Sequence, residues 1–283
     1  MRAPASATSA TPGTRDANNE GKTPDQFLEE ANELIRKRRQ ALSQTDKGRL
    51  LPEKYAYLTM EEVLAVRMYS GPAYQPINTF LRSIGQLRGD HRMRLAQDPE
   101  STFAATTAEL CKAIRKLAAI VSPAEAMQPL ARGVRGELPK TFWVPDQQAM
   151  ICAVDMAFMS TSRNRSTPVA YMGKGSNVLW ELQPRAQSDV AFHRGADIKM
   201  LSQFAAEDEV LFPPCTMFEV LTKPPPEVSA TTKGEGESAS KFKAVAELLI
   251  GSSEVTARKL MQVEDTKLDG NMFTSIKVLP SFI

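Results

Sequence analysis

The chain changes character at Pro123, and that change limits the folds open to it. Upstream, apolar residues recur every three or four positions behind helix-start signals. Downstream they sit in short β-rich runs punctuated by Gly, Pro, Asn and Asp. Thr23-Pro24-Asp25-Gln26 has a capping-box layout, with a hydroxyl at the N-cap, Pro at N1 and Gln at N3. A helix is expected there, with Phe27, Ala31, Leu34 and Ile35 on one face and the basic run Arg36-Lys37-Arg38-Arg39 behind them. That run reads as a solvated helix end or, alternatively, a phosphate contact. Thr59-Met60-Glu61-Glu62 is a second capping box. Ile77, Phe80, Leu81 and Ile84 form a further helical stripe, as do Phe103, Leu110, Ile114, Leu117 and Val121.

Beyond Pro123, Val178-Leu179-Trp180-Glu181-Leu182, Val210-Leu211-Phe212, Met217-Phe218-Glu219-Val220-Leu221 and Ser275-Ile276-Lys277-Val278-Leu279 read as strands. No long helices separate them at regular intervals, which argues against a doubly wound parallel sheet. The expected fold is therefore α+β, a helical cluster over 23–122 followed by a mixed or antiparallel β core over 123–283. Residues 1–22 offer almost nothing apolar to bury and are expected to form a disordered tail. The stretch 223–240, with its Pro224-Pro225-Pro226 and Gly234-Glu235-Gly236, reads as an exposed insertion loop.

Composition narrows the chemistry. Lys plus Arg is 35 and Asp plus Glu is 33, so charge offers no support for a nucleic-acid partner. No apolar run approaches the roughly 20 residues of a membrane span. With no apolar stretch of a secretory signal at residues 1–22, the default expectation for compartment is the cytoplasm. Cys111, Cys152 and Cys215 are spaced for neither a disulfide framework nor a zinc pair. With only His91 and His193 in the chain, a His-rich metal site is excluded, although a Cys–His nucleophile stays open. Carboxylates, hydroxyls and arginines are left to carry the chemistry.

Three segments offer such groups. In Leu130-Ala131-Arg132-Gly133-Val134-Arg135-Gly136, an arginine able to clamp a phosphate precedes backbone that a ligand can approach closely. Phe158-Met159-Ser160-Thr161-Ser162 supplies three consecutive hydroxyls, suited to orienting a polar ligand or to a local turn. In Phe204-Ala205-Ala206-Glu207-Asp208-Glu209-Val210-Leu211, three acids run into an apolar strand. If that strand begins near Glu207, alternation places Glu207 and Glu209 on one face, roughly 6–7 Å apart. Two such carboxylates suit a reaction with an oxocarbenium-like transition state.

In this order the three segments resemble the R-S-E signature of the arginine-specific mono-ADP-ribosyltransferases. Tyr69-Ser70-Gly71-Pro72-Ala73-Tyr74 with Ile77-Asn78 and Leu81-Arg82 is similar to that family's helical segment. Gly195-Ala196-Asp197-Ile198, Leu201-Ser202-Gln203-Phe204 and Val210-Leu211-Phe212-Pro213-Pro214 resemble its loop-and-strand consensus, and Ile276-Lys277-Val278-Leu279-Pro280-Ser281-Phe282 its closing strand. The resemblance runs from about residue 58 to the C-terminus, with the domain itself expected over 23–283.

The resemblance implies cleavage of NAD at the nicotinamide–ribose bond and transfer of ADP-ribose to arginine side chains of an acceptor protein. NAD is then consumed as a substrate, and no cofactor is needed. Arg132 would hold the NAD phosphates and the Gly133 backbone would lie near the nicotinamide amide. Ser160 would position the ribose and the catalytic carboxylate, supported by Thr161 and Ser162. Glu209 would be the essential acid, ionised at neutral pH, while Glu207 and Phe204 would face the acceptor. Ala131 stands where an aromatic is frequent, and no aromatic follows Ser162 directly, leaving Tyr171 as a candidate ring for nicotinamide. Arg135 competes with Arg132 for the clamp, and Arg163 and Arg165 are either phosphate contacts or a solvated loop. Two alternatives stand beside transfer: an NAD glycohydrolase, and a non-catalytic module that keeps the fold.

Overall fold

Helix α1 (Pro24–Leu42) starts at the expected capping box. Thr23 Oγ1 accepts from the Gln26 amide at 3.3 Å, and Gln26 Oε1 accepts from the Thr23 amide at 2.8 Å. The structure is a computed structural model that describes residues 19, 21–44, 50–84, 102–146, 150–185, 193–223, 253–268 and 271–282. Nearly all of the expected tail and of the loop 223–240 therefore lies outside the described residues, as does His91. The basic run of α1 is answered by acids: Arg36 and Lys37 pair with Glu33, Arg38 with Glu125 and Arg39 with Glu53.

The second capping box opens α2 (Met60–Met68), and its Glu62, nearly fully buried, also takes Lys116 at 2.7 Å. Lys116 belongs to α4 (Ala104–Ala118). A π-helical turn (Tyr69–Ala73) containing Gly71 and Pro72 separates α2 from α3 (Tyr74–Ile84). A Cβ on Gly71 would come within 2.4 Å of Gln203 Nε2, so glycine admits the loop that follows residue 201. The helical cluster closes with α5 (Pro123–Ala126). Its apolar stripes, among them Phe27, Ile35, Val66, Ile77, Leu110 and Leu117, share one core with Phe158, Ile198 and Leu211 of the β part.

Nine strands are present among the described residues: β1 (Leu130–Arg135), β2 (Cys152–Asp155), β3 (Met159–Ser162), β4 (Asn177–Leu182), β5 (Ala196–Asp197), β6 (Glu209–Phe212), β7 (Thr216–Val220), β8 (Val263–Leu268) and β9 (Asn271–Ser281). Their order is β2-β7-β9-β4-β1-β3-β6-β5, with β8 paired to β9. All neighbours are antiparallel except β4 and β9, so the sheet is mixed as expected. Alternation on β6 sends Val210 and Phe212 into a β core with Trp180, Phe218, Ile276 and Val278, and Leu211 into the helical core. The strand that begins at Glu209 is thus gripped on both faces. Each such buried apolar side chain contributes about 1.5–3 kcal/mol.

The junction of β1 with β3 is the weak seam of the sheet. Only Ala131 and Ser162 pair across it, whereas β1 and β4 pair along their full length from Leu130 to Arg135. A short helix, α6 (Ser166–Met172), leaves β3 and packs on the outer face of β1. Gly133 makes that packing possible, because a Cβ there would stand 2.6 Å from Met172 Cγ and 2.8 Å from the Pro168 carbonyl. Helix α7 (Glu254–Leu260) precedes β8. No helix among the described residues is long and apolar enough to cross a membrane.

Candidate active site

The seam between β1 and β3 opens into a cleft of about 650 Å³ whose other wall is the helical cluster. Arg132, Gly133, Ser160, Thr161, Ser162, Phe204, Glu207 and Glu209 all line it. Residues up to 77 positions apart in the chain are thereby brought together (Arg132 to Glu209).

Arg132 reaches across the seam. Its Nη1 donates to the Ser160 carbonyl at 2.8 Å and its Nη2 to Asp155 Oδ2 at 3.2 Å. The Asp155 carboxylate also receives Arg82 Nε and Nη2, each at 3.0 Å, and the Ala157 amide at 3.1 Å. Burial pulls the Arg132 pKa down and Asp155 opposes the shift. The guanidinium keeps its charge regardless, being too basic to lose it in a protein.

The hydroxyl triplet is a strand rather than a turn. Ser160 hydrogen-bonds the Glu209 carboxyl. Thr161 Oγ1 donates to the Val210 carbonyl at 2.6 Å and Ser162 Oγ to the Glu207 carbonyl at 2.5 Å. One hydroxyl thus addresses a carboxylate, and two lash β3 to the strand and turn that carry the acids.

Glu207 reaches the cleft by a different route from the one alternation predicts. The strand begins only at Glu209, and Glu207 ends a 3-10 turn (Ala205–Glu207). Asp208 between them is left-handed, with φ 51° and ψ 49°. Ala-Ala-Glu-Asp contains no strand former, and Asp is among the residues that tolerate this backbone, which is the signal that could have located the turn. Asp208 does not line the cleft; its carboxylate lies 3.1 Å from Lys199 Nζ and 3.9 Å from Arg163 Nη1.

Glu209 is 7% exposed, and burial pushes its carboxyl up to about 7. The Ser160 hydrogen bond and Arg132 oppose that rise, and Glu207 adds to it. Desolvation thus outweighs the nearby cation, and the Glu209 carboxyl holds its proton to higher pH than an ordinary glutamate does.

The remaining candidates each have partners. Tyr171, the candidate ring for nicotinamide, donates its phenol to Glu207 Oε1 at 2.5 Å. Arg135 also lines the cleft, and its Nε and Nη2 both donate to the Tyr171 carbonyl, at 3.1 and 2.8 Å. Arg163 pairs with Asp197 and Arg165 with Glu181, at 3.0 and 2.8 Å, and neither lines the cleft. The open Cys–His option finds no support at this site. None of the three cysteines lines the cleft, and His193 is buried with Nδ1 2.8 Å from the Pro280 carbonyl.

The family model for NAD:arginine ADP-ribosyltransferase matches residues 11–229. The chain belongs to this family. Among solved structures, this ADP-ribosyltransferase is similar to HopU1 of Pseudomonas syringae pv. Tomato, at 16% identity over 94% of this chain and 91% of that one, with a TM-score of 0.44. It is also similar to the Vis toxin of Vibrio splendidus, at 18% identity over 89% and 85% with a TM-score of 0.45. Plx2a of Paenibacillus larvae is a third, at 14% identity over 89% and 94% with a TM-score of 0.44. No curated protein matches the chain.

Sequence reasoning gave no role to the carboxylate that holds Arg132 in this ADP-ribosyltransferase. Asp155 sits in an ordinary Cys-Ala-Val-Asp strand, and nothing local marks it as the carboxylate joining two arginines. On the helical wall, Asn78 Nδ2 donates to the Tyr69 hydroxyl at 2.9 Å, while Asn78 Oδ1 is buried with no hydrogen-bond partner among the described residues. Burial and the charge of Glu209 push the Tyr69 phenol well above its ordinary range, so it stays a neutral donor and acceptor.

Proposed function

We propose that this ADP-ribosyltransferase cleaves NAD at the nicotinamide–ribose bond and passes ADP-ribose to arginine side chains of an acceptor protein, releasing nicotinamide. The supporting observation is the pairing, in one cleft, of two carboxylates in unlike settings beside a fixed guanidinium. Glu209 is shielded and bonded to Ser160, whereas Glu207 is half-buried on a turn and faces Tyr171.

The division of labour follows from those settings. Arg132, its plane set by Ser160 and Asp155, holds the NAD phosphates with its remaining N–H groups. Gly133 and Ser160 border the nicotinamide ribose, and Thr161 and Ser162 keep β3 in register with the acids. Glu209 binds the ribose 2′-hydroxyl and faces the cation that develops at C1′ as the C–N bond breaks and its electron pair leaves with nicotinamide. A guanidine nitrogen of the acceptor then bonds to C1′ and sheds a proton, with Glu207 forked onto the guanidinium and Phe204 beside it. NAD is the substrate, and the reaction calls for no cofactor.

The test is incubation with labelled NAD, with and without agmatine as a small guanidine acceptor, for wild type, Glu209→Gln and Glu207→Gln. The expected result is labelled agmatine with wild type, loss of all NAD turnover in Glu209→Gln, and a fall in the ratio of transfer to hydrolysis in Glu207→Gln. Free ADP-ribose with unlabelled agmatine would replace this reading by NAD glycohydrolysis. No turnover by a protein that melts cooperatively and gains no stability from NAD would replace it by a non-catalytic module.

A further inference from the structure

The acceptor carboxylate is not left to find its own position. We infer that Tyr171 is a positioning residue that sets Glu207 for the acceptor guanidinium, an inference that rests on the arginine-transfer reading above. The Tyr171 hydroxyl donates to Glu207 Oε1 at 2.5 Å, across 36 positions of chain. Glu207 stands at the end of a short 3-10 turn followed by a left-handed residue. A glutamate has three rotatable side-chain bonds, all of which must be fixed before its carboxylate has one orientation. A hydrogen bond to one oxygen orients the plane of the carboxylate.

The donor is itself rigidly mounted. Arg135 Nε and Nη2 clamp the Tyr171 carbonyl at 3.1 and 2.8 Å, and Asn177 Nδ2 holds the Gly173 carbonyl at 3.1 Å. Gly133 lets α6 lie against β1. The phenol therefore takes its position from β1, the strand that carries Arg132. Glu207 is in this way indexed to the same strand as the guanidinium assigned to NAD. Burial, then the hydrogen bond and charge of Glu207, push the Tyr171 phenol well above its ordinary range, so it remains a donor wherever the enzyme works.

The bond orients Glu207 without blocking it. An ionised carboxylate offers about four lone-pair sites, and a guanidinium fork uses one on each oxygen. The ring is 46% exposed, which puts it at the mouth, where an acceptor side chain enters, rather than at the depth of Glu209.

Tyr171→Phe tests the inference, because it keeps the ring and removes only the donor. Loss of a hydrogen bond to a charged group should raise the KM for agmatine roughly tenfold to a hundredfold. The ratio of transfer to hydrolysis should fall with it, and that ratio is independent of the folded fraction of the sample. In a Glu207→Gln background, Tyr171→Phe should change nothing further, since it acts through Glu207. An unchanged agmatine KM, an additive effect in that background, or an equal loss of hydrolysis would overturn the inference while leaving arginine transfer intact. Absence of agmatine labelling by wild type would overturn both together.

Discussion

Asp155 holds Arg132 from the side facing the helical cluster, its Oδ2 lying 3.2 Å from Arg132 Nη2 while Arg82 of α3 grips the same carboxylate with two nitrogens. One acid thereby joins the two walls of the cleft and aims the guanidinium assigned to the NAD phosphates. Asp155→Asn keeps an acceptor oxygen but removes the charge that strengthens the bond, so it should loosen that aim and weaken NAD binding about fivefold, roughly 1 kcal/mol. A calorimetric or fluorescence titration with NAD measures it. Unchanged or tighter binding would mean that Asp155 only competes with the phosphates for Arg132.

Glu209→Gln should exchange stability for activity. The folded protein holds the Glu209 carboxyl at about 7, above the ordinary value of 4.5. Between those two values the folded state binds more protons than the unfolded one, so this group's contribution is present at low pH and is lost as pH rises through about 7. The loss amounts to up to about 3 kcal/mol. Gln carries no such penalty. The variant should melt above wild type at pH 8, with the gap closing toward pH 5. A gap that does not change with pH would show that Glu209 titrates normally.

The same group sets the pH dependence of turnover. If Glu209 must be ionised, kcat/KM for NAD should rise about tenfold per pH unit and level off near pH 7. In the NAD complex the positive nicotinamide ring favours the carboxylate, so the corresponding bend in kcat should lie lower. Because Glu207 pushes Glu209 upward, Glu207→Gln should move the kcat/KM bend to lower pH. Steady-state kinetics from pH 5 to 9 decide the matter, and a bend that stays put or moves upward would contradict the assigned coupling.

Asp208 should tolerate glycine and resist a β-branched residue. Its left-handed backbone costs an ordinary residue about 1–2 kcal/mol and costs glycine nothing comparable. Its bond to the exposed Lys199 is worth little, and Arg163 stands 3.9 Å away and pairs with Asp197 instead. Asp208→Val should lower the melting temperature and the transfer rate together, because it re-aims Glu207 relative to Glu209. Asp208→Gly should stay close to wild type in both. Equal tolerance of the two substitutions would argue that the turn is not held in this geometry.

Helix starts were legible in the sequence because a capping box is a local device. Thr23 with Gln26 and Thr59 with Glu62 complete their bonds within three residues, whatever the rest of the chain does. The stripes of α3 and α4 and the apolar runs of β4, β6, β7 and β9 were legible for a similar reason, since period and composition survive without tertiary context. The two-residue β5 and the short α6 carry too few residues for a period to show, and Cys-Ala-Val-Asp of β2 lacks the apolar run that marks β6.

The residue types for the cleft, and the order of Arg132, Ser160 and Glu209 along the chain, are written in the sequence itself. Their settings are not. Asp155 meets Arg82 across 73 positions and Tyr171 meets Glu207 across 36, contacts that exist only once α3, α6 and the sheet seam are packed. The turn at Asp208 overrode the strand alternation expected of Glu207, because backbone handedness decides where a side chain points before periodicity can. The burial of Glu209 was decided last of all, by two cores closing over one strand. A sequence names a carboxyl group, but only the packed chain sets how far from water it lies, and desolvation is what moves its pKa.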